Sequence, residues 1–219
     1  AGVCHSDIHL WEGSYDLGNG RSLTLQDRGV SLPLTLGHEN VGTVAAVGAD
    51  APSFDTTRNY LVYPWLGCGK CSVCLSGREN DCPAPSSVGV HRAGGYAEYL
   101  LMPHPRYLID VGDMDPAQVA PYACSGLTTY SALQKIGADV YHRNPIVIFG
   151  AGGLGLMALT VLQALEGFGG IVVDLDPIKR QAALDAGALA AIDGAAPDAV
   201  KQIMAAAGGK PVQAALDLV

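Results

Sequence analysis

The chain has 219 residues, 49% of them hydrophobic and 16% charged, with 28 glycines and a formal net charge of −8; that is enough for one large domain or two modest ones. No Lys/Arg run breaks the acidic balance, which argues against a nucleic-acid or anionic-membrane partner. The longest apolar run, Leu154 to Leu165, is too short to span a bilayer, and no basic stretch followed by an apolar one opens the chain.

The chain starts at Ala1 without a methionine and stops in the strand-like run Leu216-Asp217-Leu218-Val219, so it reads as a fragment of a longer protein. Residues 1 to about 35 carry Gly2-Val3-Cys4-His5-Ser6-Asp7-Ile8-His9, then a Gly/Asn/Asp-rich loop from Gly13 to Gly29. Val41 to Val47 is rich in β-branched residues and predicts a strand, as do Tyr60 to Tyr63 and Gly94 to Met102. Trp11 and the scattered tyrosines are expected to pack, and His91, His104 and His142 to lie at the surface.

The texture changes at Asp115-Pro116, an N-cap followed by a favoured first helical residue. A second helix is expected over Gly126 to Ile136. After Asn144-Pro145 the pattern becomes strand, glycine turn, helix. Ile146 to Phe149 and Ile171 to Val173 read as strands buried on both faces. Helices are expected at Leu154–Glu166, Pro177–Ala186 (closed by Gly187) and Ala199–Ala207, with strands at Leu189–Ile192 and Val212–Val219. Alternating strands and helices predict a parallel sheet with helices on its faces.

Three stretches carry chemistry. Cys4, His38 (in Gly37-His38-Glu39) and Cys124 would make a Cys₂His set, the three-ligand pattern that leaves a catalytic zinc one open position. Cys68-x₂-Cys71-x₂-Cys74-x₇-Cys82 puts four thiols within fifteen residues, as a closed structural Cys₄ zinc site requires. A disulfide framework or an iron–sulfur cluster are the alternatives. With no secretion signal, a cytosolic metal protein is the better fit.

Gly150-Ala151-Gly152-Gly153-Leu154-Gly155 is Gly-x-Gly-x-x-Gly between a buried strand and a helix. Gly150 permits the turn, Gly152 admits a pyrophosphate and Gly155 admits close helix packing, while the helix N-terminus offers N–H groups to phosphate. Asp174 ends the next strand, 19 residues beyond Gly155, where an acid bonds the ribose 2′-OH and repels a 2′-phosphate. NAD is therefore expected over NADP. The alternative is that Asp174 only caps the next helix, a task Asp176 suits better.

In this order the motifs resemble the zinc-dependent medium-chain alcohol dehydrogenases: Gly-Val-Cys-His-Ser-Asp, Gly-His-Glu, the four cysteines, Cys-Ser-Gly-Leu-Thr-Thr-Tyr at 124–130, the glycine turn and Asp174. The resemblance runs through essentially all 219 residues. It implies an α/β protein with a partial, mostly-β GroES-like catalytic domain at 1–124, followed by a partial Rossmann doubly wound parallel sheet at 125–219. Both termini of the family's chain would be missing.

By that resemblance Cys4, His38 and Cys124 would ligate catalytic zinc, with Glu39 beneath the metal, behind the ligands or as a transient ligand, and Asp7 orienting His38. Ser6 and His9 match a proton relay. His5 matches a position near the cofactor pyrophosphate, Thr128 one at the nicotinamide, Lys179 one at the adenosine ribose, and Trp65 a wall of the substrate pocket. Implied with them are two Zn²⁺ per subunit, NAD, a small alcohol, aldehyde or ketone as substrate, a cytoplasmic location and a homodimer or homotetramer. The reaction would oxidise a primary or secondary alcohol reversibly, by hydride transfer to NAD. Rival readings are a zinc-free reductase of the same superfamily, a polyol or formaldehyde-type dehydrogenase, a zinc-lobe interaction module, and an inert fragment.

Overall fold

Extended backbone at Cys4 (φ −99°, ψ 153°) gives way to helix α1 (His5–Glu12) in the computed structural model of the protein, which describes residues 1–51 and 54–219. Asp7 starts the helix by accepting the Cys4 N–H at 2.9 Å, and Gly13, left-handed at φ 88°, ends it. The described chain divides into two units, residues 1–124 and 125–219.

In the first unit the stretch expected as a loop holds a hairpin, β1 (Ser14–Asp16) against β2 (Ser22–Thr24), with Ser14 opposite Thr24. Gly18, Asn19 and Gly20 all take positive φ at its turn, and that is what their composition serves. A second antiparallel sheet has the order β3 (Val41–Gly42), β4 (Tyr60–Val62), β5 (Leu108–Asp110). The strand expected to run to Val47 stops at Gly42, and Gly94–Met102 forms no strand. Both stretches have strand composition, but 43–47 makes no ladder among the described residues, and 94–96 only bonds its N–H groups to the carbonyls of Thr35, Leu36 and Gly37 without a regular register. Tyr99 (78%) and Leu101 (81%) stand exposed.

Helix α2 (Ser72–Leu75) lies inside the cysteine loop, and α3 (Pro116–Val119) begins at Asp115, whose carboxylate accepts the Ala117 N–H at 2.9 Å. Small apolar clusters hold this unit together. Leu10 packs with Leu25, Val30 and Val90, and Leu61 with Val111, Val119 and Ala123. Trp11, expected to pack, is 77% exposed.

The second unit starts with α4 (Ser125–Ile136) and α5 (Ala138–Tyr141), then alternates β6 (Ile146–Phe149), α6 (Gly153–Ala164), β7 (Gly170–Asp174), α7 (Pro177–Asp185), β8 (Ala190–Asp193), α8 (Ala199–Ala206) and β9 (Ala215–Asp217). The sheet is parallel in the order β8-β7-β6-β9. Ile146, Ile148 and Val172 face Leu133, Leu159 and Leu162, while Val147, Ile171 and Val173 face α8 through Ile203. Burial on both faces is why these strands read as unbroken apolar runs. The chain moves from β6 to β7 and β8 on one side and returns to β9 on the other. Beside β6 it therefore makes the crevice where doubly wound sheets bind ligands.

Candidate metal and nucleotide sites

Three segments of the first unit converge. Cys4 precedes α1, Gly37 (φ 97°) turns the chain into His38 and Glu39, and Cys124 ends the 3₁₀ turn Ala120–Ala123. One donor atom from each of Cys4, His38, Glu39 and Cys124 lies within 4.8 Å of every other. The Cys4 and Cys124 sulfurs are 3.7 Å apart. Two 2.3 Å Zn–S bonds at the tetrahedral angle would space sulfurs by about 3.8 Å, whereas a disulfide needs about 2.0 Å.

His38 is fully buried and its Nε2 has no hydrogen-bond partner. Leaving a buried polar nitrogen unpaired costs about 1–3 kcal/mol, so native proteins seldom do so without an occupant in view. The donor set fits a zinc ion. Glu39 is one of the four clustered donors, beside the two sulfurs and His38.

Behind the donors lies Asp7, 3% exposed. Its Oδ1 sits 3.3 Å from His38 Nδ1 and accepts the Gly37 N–H at 3.2 Å. Its Oδ2 accepts the Cys4 N–H at 2.9 Å and the Tyr96 hydroxyl at 3.0 Å. With the proton on Nδ1 facing Asp7, the His38 Nε2 lone pair points to the sulfurs.

The charges respond to this crowding. The Cys4 thiol is brought down to about 3, first by the Cys124 thiol donating to it and then by His38; burial opposes this, and the Ser6 N–H and hydroxyl assist. Cys124 moves upward, because it keeps the proton shared with Cys4 and is itself buried. Burial works against a charged His38, but the Cys4 sulfur and Asp7 outweigh it and raise its pKa. Burial, then the Cys4 charge, raises Glu39. The pair thus presents one thiolate and one displaceable proton, the form in which thiols meet a metal.

Ser6 and His9 share α1 three residues apart, on neighbouring positions of one face. His9 stacks on His5 at 4.6 Å, lies 4.8 Å from the Tyr15 ring, and has Nδ1 3.7 Å from Glu12. His5 is exposed. Trp65 donates its Nε1–H to the Ala123 carbonyl at 3.0 Å, and its ring lies 5.6 Å from that of His38, so it walls this site.

Cys68, Cys71, Cys74 and Cys82 form a second four-donor cluster. Their sulfurs approach at 3.5 Å (Cys71–Cys74) and 3.9 Å (Cys68–Cys74, Cys71–Cys82), again tetrahedral-ion spacing, and all six cysteines are free. Backbone N–H groups of Cys68, Cys74 and Ala84 also point at sulfurs. Arg106 and the Tyr107 hydroxyl anchor the lobe through Glu79, at 2.6 and 2.8 Å.

In the second unit Gly150 (φ 92°) turns out of β6 into α6. A Cβ on Gly155 would overlap the Gly150 carbonyl oxygen, whereas one on Gly152 or Gly153 would meet nothing. The first helical bond runs from the Leu156 N–H to Gly152 O, so the N–H groups of Gly153, Leu154 and Gly155 lack a partner within the helix. N–H groups left free in this way at a helix start are the kind of donors that bind anions.

Asp174 accepts the Ala151 N–H at 2.7 Å and the Asp176 N–H at 2.8 Å. Burial alone would raise its pKa, but these N–H groups and nearby Lys179 lower it. Asp176 caps α7 by accepting the Ile178 N–H at 2.8 Å, so Asp174 is left for another task. Thr128 is exposed on α4 and Lys179 on α7.

Two residues of these sites had no signal in the sequence. Tyr96 reaches Asp7 across 89 positions. Arg180 donates to the carbonyls of Asp174 (2.9 Å) and Leu175 (2.7 Å) and lies 3.6 Å from Asp193.

Residues 1–113 match the family described as alcohol dehydrogenase GroES-like domain. A protein of Sulfurisphaera tokodaii named NAD-dependent alcohol dehydrogenase is 39% identical over 218 residues, all of this chain and 61% of that protein. Among solved structures, the D-arabinose dehydrogenase of Sulfolobus solfataricus superposes with a TM-score of 0.85 at 30% identity, over all of this chain and 65% of that one. The alcohol dehydrogenase of Aeropyrum pernix gives 0.82 at 30%, over all of this chain and 62% of its own. The chain spans about three fifths of the length of these relatives, and it belongs to the zinc-type medium-chain alcohol dehydrogenase family.

Proposed function

We propose that the whole protein is a zinc- and NAD-dependent alcohol dehydrogenase, interconverting a primary or secondary alcohol and its aldehyde or ketone. The observation that carries this is the cluster of Cys4, His38, Glu39 and Cys124, with the buried His38 Nε2 facing it unpartnered. A zinc-free reductase would have no use for such a donor set.

In this reading Cys4, His38 and Cys124 hold the catalytic ion, with Glu39 as a neighbouring donor. A bound zinc would supply Lewis-acid polarisation of the substrate oxygen. Asp7 fixes the His38 tautomer. Ser6 accepts the alcohol proton as it gives up its own, through the cofactor ribose, to His9, which carries it toward solvent. Trp65 gives the substrate side an apolar wall, which favours a hydrophobic alcohol over a polyol or formaldehyde adduct. Cys68, Cys71, Cys74 and Cys82 hold a second, structural zinc.

The dinucleotide lies on Gly150, Gly152, Gly153, Leu154 and Gly155, with Asp174 on the ribose hydroxyls. Lys179, Thr128 and His5 are further cofactor contacts. The anionic Asp174 favours NAD over NADP. Six free thiols suit a reducing cytoplasm. No described helix is long and apolar enough to cross a membrane. A homodimer or homotetramer rests on the family resemblance alone.

The test is NAD reduction by the full-length protein across primary, secondary and aromatic alcohols, with and without a chelator. Alcohol-dependent NADH formation that the chelator abolishes is expected. Turnover that survives complete zinc removal would overturn the reading.

A further inference from the structure

The Asp7 carboxylate accepts from four donors, and three of them belong to the Cys4 and Gly37–His38 segments it serves. The fourth, the Tyr96 hydroxyl, comes from a separate part of the chain. It is 3.0 Å from Asp7 Oδ2 and 3.0 Å from the Gly2 carbonyl, and Gly2 in turn donates its N–H to the Glu39 carbonyl at 2.7 Å. The Tyr96 ring lies against Gly37, so closely that a Cβ there would come within 2.7 Å of it. One side chain thus touches the segments that deliver Cys4, His38 and Glu39.

We propose that Tyr96 is a positioning residue of the metal site, holding Asp7 Oδ2 so that Oδ1 keeps its line to His38 Nδ1. The inference rests on the metal-site reading above. Without Tyr96, Oδ2 would keep one donor, the Cys4 N–H, against two on Oδ1, and the broad χ2 well of a carboxylate would let it shift by some degrees within those bonds. The tyrosine hydroxyl adds a charge-assisted bond that removes this freedom. The ring, by filling the space over Gly37, sets the approach of the His38 segment independently of the hydroxyl. Tyr96→Phe therefore separates the two contributions.

The test follows zinc transfer to a chromogenic chelator from the zinc-loaded full-length protein, its Tyr96→Phe variant, and Tyr99→Phe as an exposed control. Wild type should release zinc in two phases, one per site. Groups behind a metal ligand are worth about 10–100-fold in metal affinity. Tyr96→Phe should speed one phase by about 10-fold and leave the other, and the Tyr99→Phe profile, unchanged. In an Asp7→Asn background the same substitution should add no more than about 2-fold, because both act through one carboxylate.

Two unchanged phases in Tyr96→Phe would overturn the inference while leaving the site reading intact. So would equal acceleration of both phases, or a full effect persisting without Asp7. A wild-type protein holding a single zinc in the cysteine lobe would overturn both.

Discussion

Cys4 Sγ and Cys124 Sγ lie 3.7 Å apart although 120 positions separate them in the chain. That spacing is too long for a disulfide and close to what two bonds to one zinc ion would impose. A single thiolate sharing a proton with its neighbour is a weak reason for two distant segments to meet. An ion bonded to both, and to His38, is a strong one.

The four-cysteine lobe should depend on its ion for its shape. Zinc in small sites contributes about 10–16 kcal/mol of apparent binding energy, as much as the whole stability of a typical domain, about 5–15 kcal/mol. Cys74→Ala should lower the zinc content by one ion per chain and open residues 67–83 to protease, with Glu79 no longer held to Arg106. An uncleaved loop in a zinc-depleted variant would show that its other contacts suffice.

Asp174→Ala should weaken NAD and relax its selection over NADP. A hydrogen bond to a charged group is worth about 1.5–3 kcal/mol, or about 10- to 150-fold in affinity, and the substitution also removes the charge that repels a 2′-phosphate. The ratio of kcat/KM for NAD over NADP should fall by at least about 10-fold. An unchanged ratio would assign the preference to another group.

The same carboxylate makes a pH-dependent contribution to stability. Its folded pKa is lowered by the Ala151 and Asp176 N–H groups and Lys179, against the effect of burial. The contribution is therefore complete above the unfolded carboxylate's value of about 3.9, and it is lost as pH falls through the folded value. Urea unfolding should show Asp174→Asn less stable than wild type by a constant amount between pH 5 and 7, by the same linkage. The gap should close below about pH 4. A gap unchanged at lower pH would mean that charge is not its source.

Gly155→Ala tests the glycine turn by size alone. The added methyl would collide with the Gly150 carbonyl oxygen, and overpacking of this kind costs about 1–3 kcal/mol. Urea titration should show that loss, whereas Gly153→Ala, with nothing near its Cβ, should cost less than about 1 kcal/mol.

The second unit was legible because burial on both faces leaves continuous apolar runs such as Ile146–Phe149, and because glycine is the residue such a turn demands. Asp115 and Asp176 marked their helices by the same local logic. Helix α1 carries little apolar period, since its residues are chosen for chemistry; its local signals are Asp7 three positions after Cys4 and Gly13 at its end. The strands expected through Val47 and over Gly94–Met102 had suitable side chains, but composition does not supply a partner strand. Donor types were visible at Cys4, His38 and Cys124, yet their convergence is a product of packing. Tyr96 and Arg180 act through contacts that leave no local pattern at all.

The most direct measurement is the zinc content of the full-length protein beside that of its Cys124→Ser variant. Two zinc ions per chain are expected in the wild type and one in the variant. The variant's alcohol oxidation should fall further than the roughly 10–100-fold that loss of a group behind a ligand produces. Equal zinc content in the two proteins, with turnover retained, would contradict the assignment of Cys124 and with it the catalytic metal site.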